Sequence, residues 1–200
     1  MRPLPRPLKG RVSSLLAAGA FALAAFAPQP VQISETFVDR LPEGYRLAKG
    51  EVAPPGCPVN VVQISDDRRA KDAIGVVGGR AVKAPLDTDA WLKSIMGGLN
   101  ARRFAVSFDS ARPPAAADIT VSVSLKSVWL TSVMTNKAGT VVMHVHAERP
   151  GKPVIDKDLR GNLTNGNWAS TRDELTNLTN AVFALALDQM AADLWTLCDH

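Results

Sequence analysis

The 200-residue chain is 46% hydrophobic and 21% charged, material for one packed domain with extra segments, which excludes an intrinsically disordered chain. Its formal net charge of +4 resides at the front: residues 1–27 hold Arg2, Arg6, Lys9 and Arg11 and no acid, and the rest balances 19 basic against 19 acidic residues. A neutral body with one tyrosine has little with which to track a phosphate backbone, so nucleic acid is left out of the expected partners.

In chain order, the first element is an export signal. A basic start precedes "LLAAGAFALAAFA", Leu15 to Ala27, an apolar run of 13 residues. That is short of the roughly 20 a bilayer-spanning helix needs. Ala25 and Ala27 fit an A-x-A cleavage pattern, Ala22 and Ala24 offer a second, and without cleavage the run becomes a short N-terminal anchor. Residues 28–56, with five prolines, scattered charge and no sustained period, read as a linker, with a short amphipathic turn at 34–41 that could dock onto the domain or a partner. The folded region is expected over 57–200.

"PVNVVQIS" is apolar and β-branched, the pattern of a central strand buried on both faces. "QISDDRRAKDAIGVVGG" follows and reads as a shaped, charged surface loop. "LDTDAWLKSIMGGLNARR" places Trp91, Leu92, Ile95, Met96 and Leu99 on one stripe behind an Asp/Thr cap, which predicts a helix. "FAVSF" returns as a strand, so the first unit is β-α-β with a right-handed parallel crossover.

The second half alternates. Ile119, Val121, Val123 and Leu125 oppose Thr120, Ser122, Ser124 and Lys126, with a slip near 127–130 where a bulge would turn Val128 or Trp129 inward. "TVVMHVHAE" and "PVIDKDLRGNL" extend this to a three-strand antiparallel meander. A last helix begins at the capping-box spacing of Thr171 and Glu174 and carries Leu175, Leu178, Val182, Leu185, Met190, Leu194 and Leu197. The expected fold is α/β (α+β): a two-layer sandwich with a mixed sheet of about five strands and both helices on one face. Cys57 and Cys198, at the two ends of the folded region of an exported chain, are expected to form a disulfide.

"VVQISDDRRAKDAIG", "WLKSIMGGLNARRFAVSF", the meander and an Ala/Leu-rich final helix resemble the YajG-like family of bacterial envelope lipoproteins over about residues 57–197. The matching features are Asp66 and Arg68 after the first strand, Ile74-Gly75, and Trp91 at the start of the first helix. The resemblance implies a small envelope protein of α/β fold without established catalytic residues. The chain departs from the family in lacking a lipobox: Cys57 follows Pro-Pro-Gly, far from the apolar run. A soluble periplasmic form is therefore expected, membrane-associated only through an uncleaved N-terminal segment.

Two clusters can carry binding. Asp66, Asp67 and Arg68 leave the first strand together, but adjacent residues there point opposite ways and do not converge as acid and base. "GVVGGR" lacks the spacing of either a P-loop or a dinucleotide fingerprint. His144 and His146 share the polar face of their strand. An even register through a three-residue loop at 150–152 sets His146 against Asp156 and His144 against Asp158, with Arg160 beyond. These are donors of the kind zinc accepts, yet residues two apart on a flat strand do not surround an ion. Exposed cross-strand ion pairs are the expected role, with no metal and no cofactor. With no nucleophile elbow, HExxH or C-x-x-C pattern, the sequence predicts a non-catalytic binding or scaffolding module whose partner is another envelope protein or a cell-wall component. An envelope hydrolase and a carrier of lipid or another small ligand are the alternatives.

Overall fold

The computed structural model describes residues 28–39, 56–111, 118–166 and 170–198; the expected signal segment lies outside them. The element order is β1 (Val31–Gln32), β2 (Cys57–Asp66), β3 (Gly75–Val77), β4 (Arg80–Lys83), α1 (Thr88–Met96), a 3-10 turn (Gly97–Arg102), β5 (Phe104–Ser107), β6 (Ile119–Val133), β7 (Asn136–Glu148), β8 (Ile155–Gly166) and α2 (Arg172–Trp195). Among the described residues, eight strands form one mixed sheet, and both helices lie on one side of it, joined where Trp91 meets Phe183 edge-on at 5.2 Å. The α+β class, the parallel β2–β5 pair flanking α1 and the β6–β7–β8 antiparallel meander follow the sequence pattern.

β6 organises the sheet. Along one edge its first half pairs in parallel with β2 and its last residues with β3; along the other it pairs throughout with β7. The bulge between Leu125 and Ser127 keeps Val128 and Leu130 buried while Trp129 stays half-exposed on the other side.

Three strands beyond the expected five come from stretches in which no strand is expected. β3, at the end of the charged loop, and β4, just beyond it, form a tight hairpin turning at Gly78 (φ 57°) and Gly79 (φ 74°), two left-handed residues that fit a primed turn. β1 adds in parallel to β4, so the expected linker 28–56 is partly built into the fold. Ile33 and Phe37 are buried against the helix layer. The Phe37 N–H donates to Ser94 Oγ at 3.0 Å, and Arg102 pairs with both Asp39 and Asp188. The segment buries only Val31, Ile33 and Phe37, too few positions to make a sequence period; residues 40–55 of the same expected linker lie outside the described ones. α1 is also shorter than its stripe suggested, giving way at Gly97 to the 3-10 turn that ends at Arg103 in the left-handed region (φ 68°).

α2 begins with the expected capping box, Thr171 Oγ1 accepting the Glu174 N–H at 3.3 Å and Glu174 Oε2 accepting the Thr171 N–H at 3.2 Å. Its middle is buried all round, because the sheet lies below it and α1 with residues 33–37 packs on its flank. The helix rests directly on glycine: a Cβ on Gly161 would stand 1.7 Å from the Val182 carbonyl oxygen. One α2 side chain reaches the outer edge of β8, where the Gln189 amide donates to the Arg160 carbonyl at 2.7 Å and accepts the Arg160 N–H at 3.4 Å. The Cys57–Cys198 disulfide ties the start of β2 to the residues after α2.

β2 is central, between β5 and β6, but only its first half, Val59 to Val61, is buried on both faces. Asn60 is satisfied there by Ser107 and by the Asp109 backbone. From Gln63 onward one face is open, a departure from the fully buried strand that its hydrophobic run implied.

Candidate functional site

The open face of the sheet collects the polar side chains that alternation leaves outside. Register alone aligns two rows across four strands: Gln63, Ser122, His146, Asp156, and beside it Ser65, Ser124, His144, Asp158. The β7–β8 register is the one expected. The connection is longer than three residues, however, because ladder pairing stops at Ala147 and Ile155 and a turn forms between Arg149 and Lys152. A shallow groove of about 190 Å³ runs over Gln63, Ser65, Asp67, Ser122, Ser124, His144 and His146.

His146 Nδ1 lies 2.8 Å from Asp156 Oδ2, and His144 Nδ1 lies 3.0 Å from Asp158 Oδ1. His144 Nε2 faces Asp156 at 3.4 Å and His146 Nε2 faces Glu148 at 3.9 Å. The hydrogen bond from His146, with the charges of both imidazoles, holds the Asp156 carboxyl below its ordinary range. Asp67 closes the groove at its other side. Its carboxylate accepts from Lys126 Nζ at 2.8 Å and from the Ser65 and Ser124 hydroxyls, and the Lys126 contact is the largest cause of its lowered pKa.

Each row has the residue types of an acyl-transfer triad in order, Ser122–His146–Asp156 and Ser124–His144–Asp158. The orientation differs from what that chemistry needs. The Nδ1 atoms do meet carboxylates, but each Nε2 is directed at a further carboxylate, and Ser124 is turned to Asp67. The two rows share carboxylates rather than hand a proton from serine to histidine.

Of the charged trio at the end of β2, only Asp67 belongs to this face. Asp66 and Arg68 turn inward as a bidentate pair, Nε to Oδ1 at 2.8 Å and Nη2 to Oδ2 at 2.7 Å, with Arg68 4% exposed. Burial pushes the Asp66 carboxyl up, but the Arg68 hydrogen bonds and charge outweigh it and leave the pKa lowered. This pair shapes the turn into β3; among the described residues Arg68 Nη1 has no partner. Metal-ligand geometry is likewise absent among the described residues: no group of three His, Cys, Asp or Glu converges on a point.

Sequence reasoning identified the histidines and their aspartates but not Gln63, Ser65, Ser122 and Ser124 as their companions. The strict alternation of "DITVSVS" already placed both β6 serines on the wet face. What was missing was the parallel pairing of β2 with β6, a contact between strands some 60 residues apart.

No protein-family model matches the chain, and no curated protein does. Several solved structures are similar in part, three of them as follows. A Xanthomonas campestris protein of family DUF330 is 15% identical, with 84% of this chain and 92% of that chain covered and a TM-score of 0.41. The hypothetical protein CT253 from Chlamydia trachomatis is 11% identical, covering 72% and 99%, with a TM-score of 0.45. Lipoprotein GNA1162 from Neisseria meningitidis is 15% identical, covering 68% and 99%, with a TM-score of 0.33. These scores are too low to carry function across, and the fold stands on the chain's own pairing and packing.

Proposed function

We propose that this chain is an exported cell-envelope accessory protein that uses its open sheet face as a non-catalytic binding module in the periplasm, its partner another envelope protein or a cell-wall component. The observation that carries the reading is the pair of polar rows across β2, β6, β7 and β8. They gather amide, hydroxyl, imidazole and carboxylate groups on a rigid sheet that the helix layer leaves open. The Cys57–Cys198 bridge supports an oxidising compartment, and the basic, apolar front of the sequence supports export. The YajG-like envelope lipoproteins remain the family the sequence resembles.

The test is site-specific photo-crosslinking in intact cells. A photoreactive residue at Ser122 or Gln63 is expected to capture one discrete envelope protein, or to carry the chain into the peptidoglycan pellet, and His144→Ala/His146→Ala is expected to abolish this. A photoreactive residue at the exposed Leu86 should capture neither. Equal capture from Leu86, or capture indifferent to the histidines, would overturn the reading. The serine–histidine–aspartate order favours one alternative, an envelope hydrolase. That enzyme would be labelled by a fluorophosphonate at Ser122 or Ser124, whereas the binding module is expected to stay unlabelled.

A further inference from the structure

We propose that the pole at which the N-terminal chain joins the fold is a bilayer-contacting surface, with Met134 as its apolar point. The inference rests on the envelope reading above and on residues 15–27 remaining attached. Met134 and Thr135 form the two-residue tip between β6 and β7, the longest hairpin of the molecule. Met134 is 96% exposed and sits at φ 56°, a left-handed conformation that suits Gly or Asn. The residue thus brings folding neither burial nor backbone ease. An unbranched, adaptable apolar side chain at such a point suits contact outside the fold.

The occupant is indicated by where the chain arrives. The apolar run ends at Ala27, and Pro28 to Pro30 are exposed before Val31 joins β4. The Gln29 carbonyl accepts from Arg80 Nε at 2.9 Å, and Arg80 is the first residue after the Gly78–Gly79 turn. The Gly78 N–H in turn donates to Ser132 Oγ at 3.1 Å, two residues before Met134. The arriving chain and both hairpin tips therefore sit at one end of the sheet. The disulfide, the β7–β8 connection and the Arg149–Leu197 contact lie at the other.

Three exposed residues span at most about 10 Å, so a segment held in lipid keeps this pole within that distance of the membrane. The apolar run of 13 residues is short of the roughly 20 that a bilayer-spanning helix needs, and a second apolar contact adds to so short a hold. The nearest buried charge needs no further desolvation, because Lys137 is already paired with Glu174 at 3.1 Å. The bilayer then lies beside Met134, at the end of the sheet remote from the polar rows.

The experiment uses the full chain, with Cys57 and Cys198 bridged so that one added cysteine takes an environment-sensitive dye. The chain is reconstituted from detergent into vesicles of phosphatidylethanolamine and phosphatidylglycerol. Dye at Met134→Cys is expected to shift to the blue, to lose most of its accessibility to aqueous iodide and to be quenched by doxyl-labelled lipid. Dye at Val154→Cys, at the far pole, should do none of these. Thr135→Cys provides the same reading should the first variant disturb the turn. Co-flotation with both tip positions still open to iodide would overturn the contact while leaving the anchor in place. Failure of the chain to co-float would overturn both.

Discussion

The strands β6, β7 and β8 present two faces built from alternate residues of the same segments, and the two are governed by different physics. On the helix side stand Val121, Val123, Leu125, Val141, Met143, Val145 and Leu159, all but fully buried, with glycine at 139 and 161 where α2 presses closest. On the open side stand Ser122, Ser124, His144, His146, Asp156 and Asp158, each at least partly wet. One face is fixed by packing, where a methyl group is felt; the other is held only by register and is free to carry recognition chemistry.

The sharpest way to break this comparison is to add volume to each face in turn. Gly161→Val drives a branched side chain into the Val182 backbone and should cost about 3 kcal/mol or more, which thermal unfolding with the bridge intact would record. Ser124→Val, on the opposite face of the neighbouring sheet region, should leave the midpoint nearly unchanged. Equal losses would show that the open face is packed as well.

Next in size is the outer flank of the helix layer. Ile33→Ala removes a side chain that is 2% exposed and should cost roughly 2 to 4 kcal/mol by equilibrium denaturation, although it lies in a stretch that composition marks as linker. A change below about 0.5 kcal/mol would restore the tether reading for residues 28–39.

The adjacent pair Asp66 and Asp67 brings the two faces within one peptide bond of each other. Asp66→Ala strands the buried Arg68 guanidinium and should cost about 2 to 3 kcal/mol, whereas Asp67→Ala, which breaks only an exposed pair, should cost far less. The pH dependence has the same sense for both. Their pKa values are lowered by folding, so each contribution is present above the unfolded value near 3.8 and is lost as pH falls through the depressed folded value. Asp188 acts oppositely: burial raises its carboxyl, so protonation on acidification relieves the fold. Urea midpoints from about pH 6 to about pH 2 should show an acid limb that becomes shallower in Asp66→Asn and persists in Asp67→Asn.

The smallest expected effect is a gain. Met134→Asn places a residue tolerant of φ 56° at the hairpin tip and should raise stability by about 1 kcal/mol in aqueous buffer. A loss would mean that Met134 does contribute to the fold.

The same contrast explains what the sequence made legible. Long alternating or helical stretches such as "DITVSVSLKSVWL" and the segment after Thr171 carry their burial in their spacing, and they became β6 and α2 with caps and bulge close to expectation. β3 and β4 are three and four residues long, too short for a period. Their signal was instead the Gly78–Gly79 pair between Val77 and Arg80, a hairpin turn embedded in what reads as a charged loop. β1 is two residues and gains its place only from β4, so no local pattern announces it. At the candidate site, His144, His146, Asp156 and Asp158 were readable because consecutive antiparallel strands constrain each other's register. Gln63 and Ser65 reached the site through a parallel contact that no short connection dictates.

The Gln189 amide at the outer edge of β8 bears on how copies of this chain behave when concentrated. β8 is a 12-residue edge strand that pairs only with β7 among the described residues, and such an edge invites another chain to extend the sheet. By engaging both the N–H and the carbonyl of Arg160, the side chain occupies the hydrogen-bonding positions that an incoming strand would need, near the middle of that edge. A single helix side chain thereby works as a colloidal safeguard, interrupting the continuous template from which edge-to-edge polymers grow.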